Sequence, residues 1–491
     1  MAGISEPIAR SAMRVLLLVV ECAVLVGAEG SITPITGLHN LGRKIALNGY
    51  LAARDTCGAG SGIHPGPLAG GDCAMVNRFE VVVVGTGHGG VQTVTSLRQQ
   101  GFSGSIALVG AEDEIPYERP PLSKSYLRGA AELDDFRLKP VQFWEDQNIT
   151  LVLGSTVETV DVDSRQLTFS DGRSLAYGRL VWAAGGRARQ LPLPGVDLSG
   201  VYTIREFADV DRLRRDLADS RRAVIIGGGY IGLEAAAVLR LQGLDVTVLE
   251  AQDRLLARVT CSVVSDYVAE LHRRHGTDVR LSAGVDSMLG EGGRVTGVRL
   301  SDGSTLPADV VIVGVGLIPN VEPLVSAGIV CTKGADVDAD FKTSADGVFA
   351  IGDCANYVSA YAGDVRVRLE SVPNAAEHGR AVANVILGIA NEQSPPPWFW
   401  SHQFDTKIQT VGLQQRHDEV VVRGDRTSDR FSVVYLRNGQ IIALDCINKV
   451  GDFAQGKQLV GRGVRAEAQE IDDPDVPLKS LLGRDVAAVP T

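Results

Sequence analysis

Two glycine-rich segments carry the most specific chemistry in this 491-residue chain. Residues 85–90 (GTGHGG) and residues 227–232 (GGGYIG) each follow a run of apolar residues. Each segment predicts a strand, a G-x-G-x-x-G loop and a helix, in which glycine backbone approaches a pyrophosphate and the helix N-terminus attracts its charge. Two such motifs, about one domain apart, predict a protein that holds two dinucleotides against each other. That arrangement serves to pass a hydride from a nicotinamide to a flavin.

An acidic residue at the end of the following strand distinguishes the two motifs. Glu250 lies 18 residues after Gly232, where a carboxylate accepts hydrogen bonds from the adenosine ribose hydroxyls. It would repel a 2′-phosphate, so the sequence favours NADH over NADPH; the alternative is a solvated glutamate at a strand end. In the first unit the matching position is either Ala111 or Glu112, and the spacing does not choose between them.

The composition limits the classes of partner. The chain has 48 Lys and Arg against 59 Asp and Glu, a net charge of −11, which argues against nucleic acid as the main partner. Its seven cysteines form no C-x-x-C pair and no metal-like cluster, so we expect a reducing, cytoplasmic location, no disulfide framework and no metal site.

The first 74 residues are unlike the rest. Residues 15–26 are apolar except for Glu21, which partly resembles a signal peptide, and residues 53–74 are rich in Gly, Pro and Ala without a period. We predict that residues 1–74 are a disordered leader or the product of an over-called translation start, with a cleaved export signal as the alternative. We predict no membrane association.

The remaining pattern predicts an α/β fold built of two Rossmann-like domains, with the second inserted in the first, followed by an α+β domain. Strands are expected at 105–109, 151–153, 155–162 and 180–184, and the second unit has a helix at about 231–242 and a strand at 245–250. After 395–397 (PPP) the strands predicted at 420–423, 431–436 and 441–445 form an antiparallel meander. The predicted domains are 75–187 with 315–395, which binds FAD, 188–314, which binds NAD, and 396–491.

Six segments, one of which includes the second glycine motif, resemble one family, the putidaredoxin-type ferredoxin–NAD(+) reductases of cytochrome P450 and dioxygenase systems, within the glutathione-reductase-like flavoproteins. The resemblance runs from about Met75 to Arg484, and the segments that carry it are 118–124 (ERPPLSK), 227–234 (GGGYIGLE), 316–320 (GLIPN), 351–355 (IGDCA), 370–375 (ESVPNA) and 397–401 (PWFWS). It implies an FAD-dependent reductase that takes hydride from NADH and passes single electrons to a [2Fe–2S] ferredoxin. It leaves open a monomer or a homodimer.

The resemblance also implies roles for individual residues. Lys124 is expected near the flavin N5 and paired with Glu234, and Trp400 beside the isoalloxazine ring. Tyr230 resembles an aromatic gate over the flavin, and Asp353 a ligand of the ribityl chain. The residues implied to line the FAD site are Gly85, Gly87, His88, Gly89, Gly90, Glu112, Arg119, Lys124, Val157, Arg205, Asp353, Val372 and Trp400. Those implied to line the NAD site are Gly227, Gly229, Tyr230, Ile231, Gly232, Glu250 and Gly316.

Three departures and one absence complete the interpretation. Ala111 stands where many family members have an acidic residue, Trp182 opens a Trp-Ala-Ala-Gly segment in place of the usual Ala-Thr-Gly, and His402 replaces an Asp. No cysteine occurs at 121–127, so electrons must leave the flavin directly for an acceptor. Arg380 and Lys479 match positions implicated in ferredoxin docking. The alternatives are an NADH oxidase, a quinone or other small-molecule reductase, and an NADH-sensing flavoprotein similar to apoptosis-inducing factor.

Overall fold

A parallel sheet surrounds the first glycine motif in the computed structural model, which describes residues 77–483. The elements of this part are β1 (Asn77–Val84), α1 (His88–Gln99), β2 (Ile106–Val109), α2 (Val141–Asp146), β3 (Ile149–Val152), β4 (Val157–Asp161), β5 (Gln166–Phe169), β6 (Ser174–Trp182) and β7 (Gly186–Ala188). Strands β3, β2, β1 and β6 are parallel in that order, and β5 and β4 continue the sheet antiparallel. Residues 81–84 of β1 are four valines and all are buried, as is typical of a parallel strand covered on both faces.

A second parallel sheet surrounds the second glycine motif. Its part of the chain contains β8 (Val201–Tyr202), α3 (Phe207–Leu217), β9 (Arg222–Ile226), α4 (Tyr230–Leu241), β10 (Asp245–Leu249), α5 (Ser262–Arg274), β11 (Asp278–Arg280), β12 (Val285–Glu291), β13 (Arg294–Leu300), β14 (Thr305–Pro307) and β15 (Val310–Val313). The order β11-β10-β9-β15-β8 is wholly parallel, and β12-β13-β14 form a separate antiparallel sheet.

The chain then returns to the first sheet. This part contains β16 (Leu317–Pro319), α6 (Glu322–Ser326), β17 (Ala335–Asp336), β18 (Val348–Ala350), β19 (Ala355–Ser359), β20 (Val365–Val367) and α7 (Val372–Leu387). β16 pairs antiparallel with β7, and β18 pairs parallel with β6. The second sheet is therefore built from chain inserted between two parts of the first.

A five-stranded antiparallel sheet forms the C-terminal part. It comprises β21 (Trp398–Gln403), β22 (Thr406–Gly412), β23 (Glu419–Asp425), β24 (Arg430–Arg437) and β25 (Gln440–Ile447), followed by α8 (Val450–Gly461) and α9 (Ala468–Ile471). The spatial order is β21-β22-β25-β24-β23. Short 3-10 turns occur at Pro120–Ser123, Leu133–Phe136, Gly352–Cys354, Ala360–Ala362, Arg426–Ser428 and Leu478–Gly483.

The predicted fold class is confirmed, with differences in the elements. The C-terminal sheet has two strands more than predicted, because neither the tryptophan-rich β21 nor β22 was identified. The strand predicted at 180–184 overlaps the end of the longer β6, which ends at Trp182. The domain boundaries stay predictions, and the calls on residues 1–74 fall outside the described residues. No helix within residues 77–483 has the length and apolar character needed to cross a bilayer.

Candidate active site

The first cradle, residues 85–90, joins β1 to α1 with backbone that only glycine can provide. Gly85 has a φ of +119°, and a Cβ built on it would lie 2.0 Å from the carbonyl oxygen of Ala183. A Cβ on Gly90 would lie 1.9 Å from the carbonyl oxygen of Gly85. Glycine at these positions lets the loop and the first turn of α1 pack against each other, and the space beside Gly87 is open.

The second cradle, residues 227–232, repeats this geometry. Gly227 has a φ of +111°, and a Cβ on Gly232 would lie 2.3 Å from the carbonyl oxygen of Gly227. The space beside Gly229 is open, as it is beside Gly87. The two loops therefore have the same backbone conformation, and the helix N-terminus that follows each loop lies next to open space.

Neither cradle helix has a side-chain cap. α1 begins at His88 after Gly87, and α4 begins at Tyr230 after Gly229, with no side-chain cap and no acidic residue in the first turn. In α7, by contrast, the hydroxyl of Ser371 accepts a hydrogen bond from the backbone N–H of Asn374. The first-turn N–H groups of a helix need acceptors. The uncapped turns and the open space beside them fit the phosphates of a bound dinucleotide.

Glu250 is held against the second cradle. Its Oε2 accepts a hydrogen bond from the backbone N–H of Gly228 at 2.8 Å, and its Oε1 accepts one from that of Gln252 at 2.8 Å. A carboxylate has about four acceptor positions, so both oxygens keep capacity for further donors. The position at the carboxyl end of β10 is where a ribose diol binds in this fold.

The first cradle has no carboxylate in the corresponding place. The backbone N–H groups of Gly85 and Gly227 donate to the last residues of β2 and β10, Val109 and Leu249. Gly110 and Glu250 therefore occupy equivalent places, each directly after its strand. A Cβ on Gly110 would lie 2.6 Å from the side chain of Thr86, which occupies this space. The sequence analysis expected the matching position at Ala111 or Glu112, and the role of Glu112 in the FAD site stays a prediction.

Glu112 instead belongs to a compact polar cluster. Its Oε1 accepts from Arg119 Nη2 at 2.7 Å, and its Oε2 accepts a hydrogen bond from the Tyr117 hydroxyl. Arg119 also donates to the carbonyl oxygen of Arg205 at 2.7 Å. Ala111, the other candidate, is exposed.

Two guanidinium groups and one carboxylate lie together beside the first cradle. Arg205 Nη2 is 3.6 Å from Asp353 Oδ2, and both side chains are 19% exposed. Burial, together with the neighbouring charge of Arg119, lowers the pKa of Arg205. Burial and the same charge lower the pKa of His88 to about 4, so its ring is neutral at pH 7. A second anion beside these guanidinium groups would offset the mutual repulsion, which is a further fit to a pyrophosphate.

The loop that carries Asp353 is held in place by a hydrogen bond to His378, a residue of α7. Gly352 has a φ of +70°, and its backbone N–H donates to Nδ1 of His378 at 3.1 Å. His378 is buried between the rings of Phe341 and Tyr357, and burial lowers its pKa to about 3. The neutral ring is therefore the acceptor that this bond requires.

The predicted pair of Lys124 and Glu234 is present. Lys124 Nζ lies 2.5 Å from Glu234 Oε2, and the Glu234 side chain is 3% exposed. Two hydroxyls also donate to this carboxylate: that of Ser123 at 2.6 Å from Oε2, and that of Ser401 at 2.6 Å from Oε1. Glu234 is the fifth residue of α4, at the start of its second turn rather than in its first. The sequence analysis assigned no role to either serine.

Trp400 lies next to this carboxylate network on β21. Because neighbouring residues of a strand point to opposite faces, Trp400 and Ser401 face away from each other. Ser401 is buried toward Glu234, whereas Trp400 is half-buried, with its ring centroid 5.5 Å from that of Trp398. Lys457 Nζ lies 3.8 Å from the Trp398 ring centroid.

Tyr230, the predicted gate, packs against the C-terminal sheet. Its ring centroid lies 4.7 Å from that of Phe399. Its hydroxyl is buried without a hydrogen-bond partner among the described residues, and burial raises its pKa well above 10. An unpartnered buried hydroxyl costs free energy, so no hydrogen bond among the described residues holds Tyr230 in this position, and its role as a gate stays a prediction.

The other predicted site residues take varied positions. Ile231 is 46% exposed in the first turn of α4. Gly316 has a φ of +111°, and a Cβ built on it would lie 3.7 Å from the guanidinium group of Arg258. Val157 is buried at the start of β4, and Val372 is the half-buried first residue of α7. Their roles stay predictions.

The two predicted docking residues are both exposed. Arg380 Nη2 lies 2.6 Å from Glu377 Oε2, so part of its charge is neutralised. Lys479 lies in the 3-10 turn Leu478–Gly483, which is fixed by its backbone N–H donating to Gln455 Oε1 at 2.6 Å. No ion pair of Lys479 is present within residues 77–483.

The cysteines of the described region are all free thiols. Cys354 follows Asp353, and its sulfur contacts the carbonyl oxygen of Ile351 at 3.2 Å. Burial raises the pKa of this thiol to about 12. It stays protonated at neutral pH and is a poor redox nucleophile, because the thiolate is the reactive form.

Comparisons with known proteins agree with this geometry. Residues 79–379 match the family described as pyridine nucleotide-disulphide oxidoreductase, and residues 398–482 match a reductase C-terminal domain. The chain is 49% identical over 406 residues to a ferredoxin–NAD(P)(+) reductase of Sphingomonas sp., covering 82% of this chain and 98% of that protein. It is 40% identical over 407 residues to the putidaredoxin reductase of Pseudomonas putida, covering 82% and 96%.

A solved structure extends the likeness to three dimensions. The crystal structure of the covalent putidaredoxin reductase–putidaredoxin complex matches with a TM-score of 0.80 at 39% identity, over 82% of this chain and 98% of that chain. The chain therefore belongs to the pyridine nucleotide-disulphide oxidoreductases, and within them to the ferredoxin reductases of the putidaredoxin reductase type.

Proposed function

We propose that this chain is an NADH-dependent reductase that passes electrons to a [2Fe–2S] ferredoxin, which in turn serves a cytochrome P450 or a dioxygenase. Members of its family use FAD and a nicotinamide dinucleotide, and both cradles fit such ligands. FAD, when bound, takes up two electrons together and releases them singly. The rest of the proposal concerns what the residues of this chain do.

The first cradle would hold FAD. The uncapped N–H groups at the start of α1 would bind its pyrophosphate, with the guanidinium groups of Arg119 and Arg205 beside them. Asp353 would accept hydrogen bonds from the ribityl hydroxyls. His378 keeps the backbone of this loop in place through the bond from Gly352.

The second cradle would hold NADH in preference to NADPH. Glu250 already accepts two backbone hydrogen bonds that fix its carboxylate at the end of β10. Its remaining acceptor positions suit ribose hydroxyls, and its charge repels a 2′-phosphate. Specificity would thus come from one oriented carboxylate.

Lys124 and Glu234 would order the space between the two dinucleotides. The Lys124 side chain is 22% exposed, so part of it can face a ligand while its ammonium group is bound to Glu234. A cation at this place would favour accumulation of negative charge on the ring system beside it. The buried carboxylate fixes the ammonium without exposing a second charge to the ligand.

The single observation that carries the proposal is the lack of a reactive thiol at the site. The 121–127 segment beside Lys124 contains no cysteine, and Cys354 is buried and protonated. A flavin here would have no dithiol to reduce. Electrons would leave directly, past the half-buried Trp400, to an external one-electron acceptor.

The test is stopped-flow reduction of the purified holoprotein by NADH and by NADPH, followed by mixing with acidic [2Fe–2S] ferredoxins. We expect rapid flavin reduction by NADH, slow reduction by NADPH and turnover that depends on ferredoxin. Turnover with oxygen or a quinone alone, unchanged by added ferredoxin, would instead indicate an oxidase or a small-molecule reductase.

Docking makes a separate prediction. If Lys479 and Arg380 attract an acidic ferredoxin, added salt slows ferredoxin reduction and barely changes ferricyanide reduction. We expect Lys479→Ala to raise the KM for ferredoxin more than Arg380→Ala, because Arg380 is already paired with Glu377. Equal salt dependence for both acceptors would disprove docking through this surface.

A further inference from the structure

Three buried side chains continue the network of Glu234 into the protein core. Gln403 Nε2 lies 3.3 Å from Ser401 Oγ, and His272 Nε2 lies 2.9 Å from Gln403 Oε1. Ser401 Oγ in turn lies 2.6 Å from Glu234 Oε1. His272, Ser401 and Gln403 are completely buried. The sequence analysis gave none of them a function.

The donors and acceptors of this series follow from the carboxylate. A carboxylate only accepts, so the Ser401 hydroxyl must donate its single hydrogen to Glu234. Ser401 must then accept from Gln403, which turns the amide nitrogen of Gln403 toward Ser401. The amide oxygen consequently faces His272, and the ring must donate to it from Nε2.

The state of His272 agrees with this direction. Burial lowers its pKa to about 4, so the ring carries one proton at neutral pH. Its Nδ1 is buried without a hydrogen-bond partner among the described residues. Within residues 77–483, the only hydrogen bond of this ring is thus the one that orients Gln403. The ring also makes an edge contact with Phe404, at a centroid distance of 5.1 Å.

The series joins parts of the molecule that are distant in sequence. His272 belongs to α5, Glu234 to α4 and both Ser401 and Gln403 to β21. Lys124 Nζ has only Glu234 and, at 3.4 Å, the carbonyl oxygen of Pro120 as partners within residues 77–483. The position of the ammonium group therefore depends on where Glu234 is held.

We propose that Ser401, Gln403 and His272 are positioning residues that hold Glu234, and through it Lys124, against the bound flavin. The inference rests on the proposed function because it gives Lys124 a flavin to face. It adds that the C-terminal sheet sets the electrostatics of the site, in addition to carrying Trp400.

The main experiment is a double-mutant cycle in the FAD-loaded protein. Gln403→Leu removes both of its bonds, and we expect about a tenfold slower reduction of the flavin by NADH, with a shifted flavin absorption band. In a Lys124→Met background the same change should have little further effect, because residues in one network are not additive. Unchanged flavin spectrum and rate, or additive effects, would overturn the proposal.

Ser432→Ala is the matched control. This serine is also completely buried in the C-terminal sheet, but its hydroxyl donates to Asp452 at 2.9 Å and has no connection to Glu234. We expect a comparable loss of stability and a wild-type flavin spectrum. A spectral change equal to that of Gln403→Leu would show that general destabilisation is responsible.

A second measurement needs no folded variant and no ferredoxin. In 15N-histidine-labelled wild-type protein, the His272 ring should be a neutral Nε2–H tautomer down to about pH 5. An Nδ1–H tautomer would break the donor series and overturn the proposal. Failure of the proposed function is distinguishable, because ferredoxin would then remain oxidised while the flavin spectrum and the tautomer still report on the network.

Discussion

The two cradles share a backbone but differ in what surrounds it. Gly85 and Gly227 have nearly the same φ, and Gly90 and Gly232 make the same close approach. At the end of the adjoining strand, however, the second cradle has the carboxylate of Glu250 in contact with the loop. The first cradle has Gly110 there, and the side chain of Thr86 occupies the space beside it.

The structures that support the cradles differ as well. α1 packs on α7, where a Cβ on Gly379 would lie 2.6 Å from the carbonyl oxygen of Gly89. α4 packs on β21 and is joined to it through the bond between Ser401 and Glu234. A permanently held ligand and an exchanging one need the same phosphate geometry. The two cradles differ in their support: the helix of the first packs on another helix, α7, whereas the helix of the second is bonded to β21, the strand that carries Trp400.

The largest expected effect on stability comes from placing a side chain where the glycine of each cradle approaches the carbonyl oxygen of its own loop. Gly90→Ala or Gly232→Ala should each destabilise the protein by roughly 3 kcal/mol, because the new Cβ meets a carbonyl oxygen of its own loop. If the cradles serve different ligands, Gly90→Ala purifies without flavin, and Gly232→Ala keeps flavin that NADH reduces poorly. The flavin-to-protein ratio, thermal unfolding and stopped-flow reduction measure this.

Gly229→Ala is the control, since its Cβ position is open and the unfolding of the ligand-free protein should change little. Identical phenotypes for the two close-approach variants would remove the distinction between the cradles.

The strand-end carboxylate should separate the cradles by nucleotide preference. Glu250→Ala should raise the KM for NADH about tenfold to a hundredfold and reduce discrimination against NADPH, because a charged hydrogen-bond acceptor is lost. Glu112→Ala should leave the preference unchanged and weaken flavin retention. Initial rates with both nucleotides measure the first effect, and retained discrimination in Glu250→Ala would refute the ribose assignment.

Acid should affect the first cradle through His378. The pKa of this buried ring is about 3, against about 6.5 in the unfolded chain, so the unfolded state binds more protons in this window. The contribution of the neutral ring to stability is complete above about pH 6.5 and is lost as the pH falls toward 3. The free energy of unfolding lost by pH 5 amounts to about 1–2 kcal/mol. Urea unfolding between pH 7 and 5 should show a smaller loss for His378→Gln, and an equal loss would contradict this.

The smallest effect concerns the helix that supports the first cradle. Ser371→Ala removes the cap of α7 and should cost about 1 kcal/mol of unfolding free energy. Because Ser371 satisfies the Asn374 N–H and has no contact with the second cradle among the described hydrogen bonds, NADH preference should not change. Chemical denaturation with kinetics on the same sample measures both, and an altered nucleotide preference would show that the cap acts on the second cradle.

Much of the fold could be predicted because its signals are local. The cradles were found from glycine spacing, and the pair of Lys124 and Glu234 from a family resemblance that the geometry bears out. The position of the first unit that matches Glu250 could not be read from spacing, since spacing cannot show that Thr86 occupies the space beside Gly110. β21 was missed because its first three residues, Trp398, Phe399 and Trp400, are all aromatic and show no polar–apolar alternation. β22 was missed because its apolar residues, Ile408 and Val411, are three positions apart and not two.

By itself the sequence determined the two glycine-rich loops, the strand-end glutamate and the lack of a cysteine at 121–127, because each depends on neighbouring residues and backbone sterics. The tertiary structure alone decided which side chains meet at Glu234. Ser401 lies 167 residues away from it, and His272 lies 131 residues from Gln403. Contacts over such separations arise only when sheets and helices pack, and local pattern carries no signal of them.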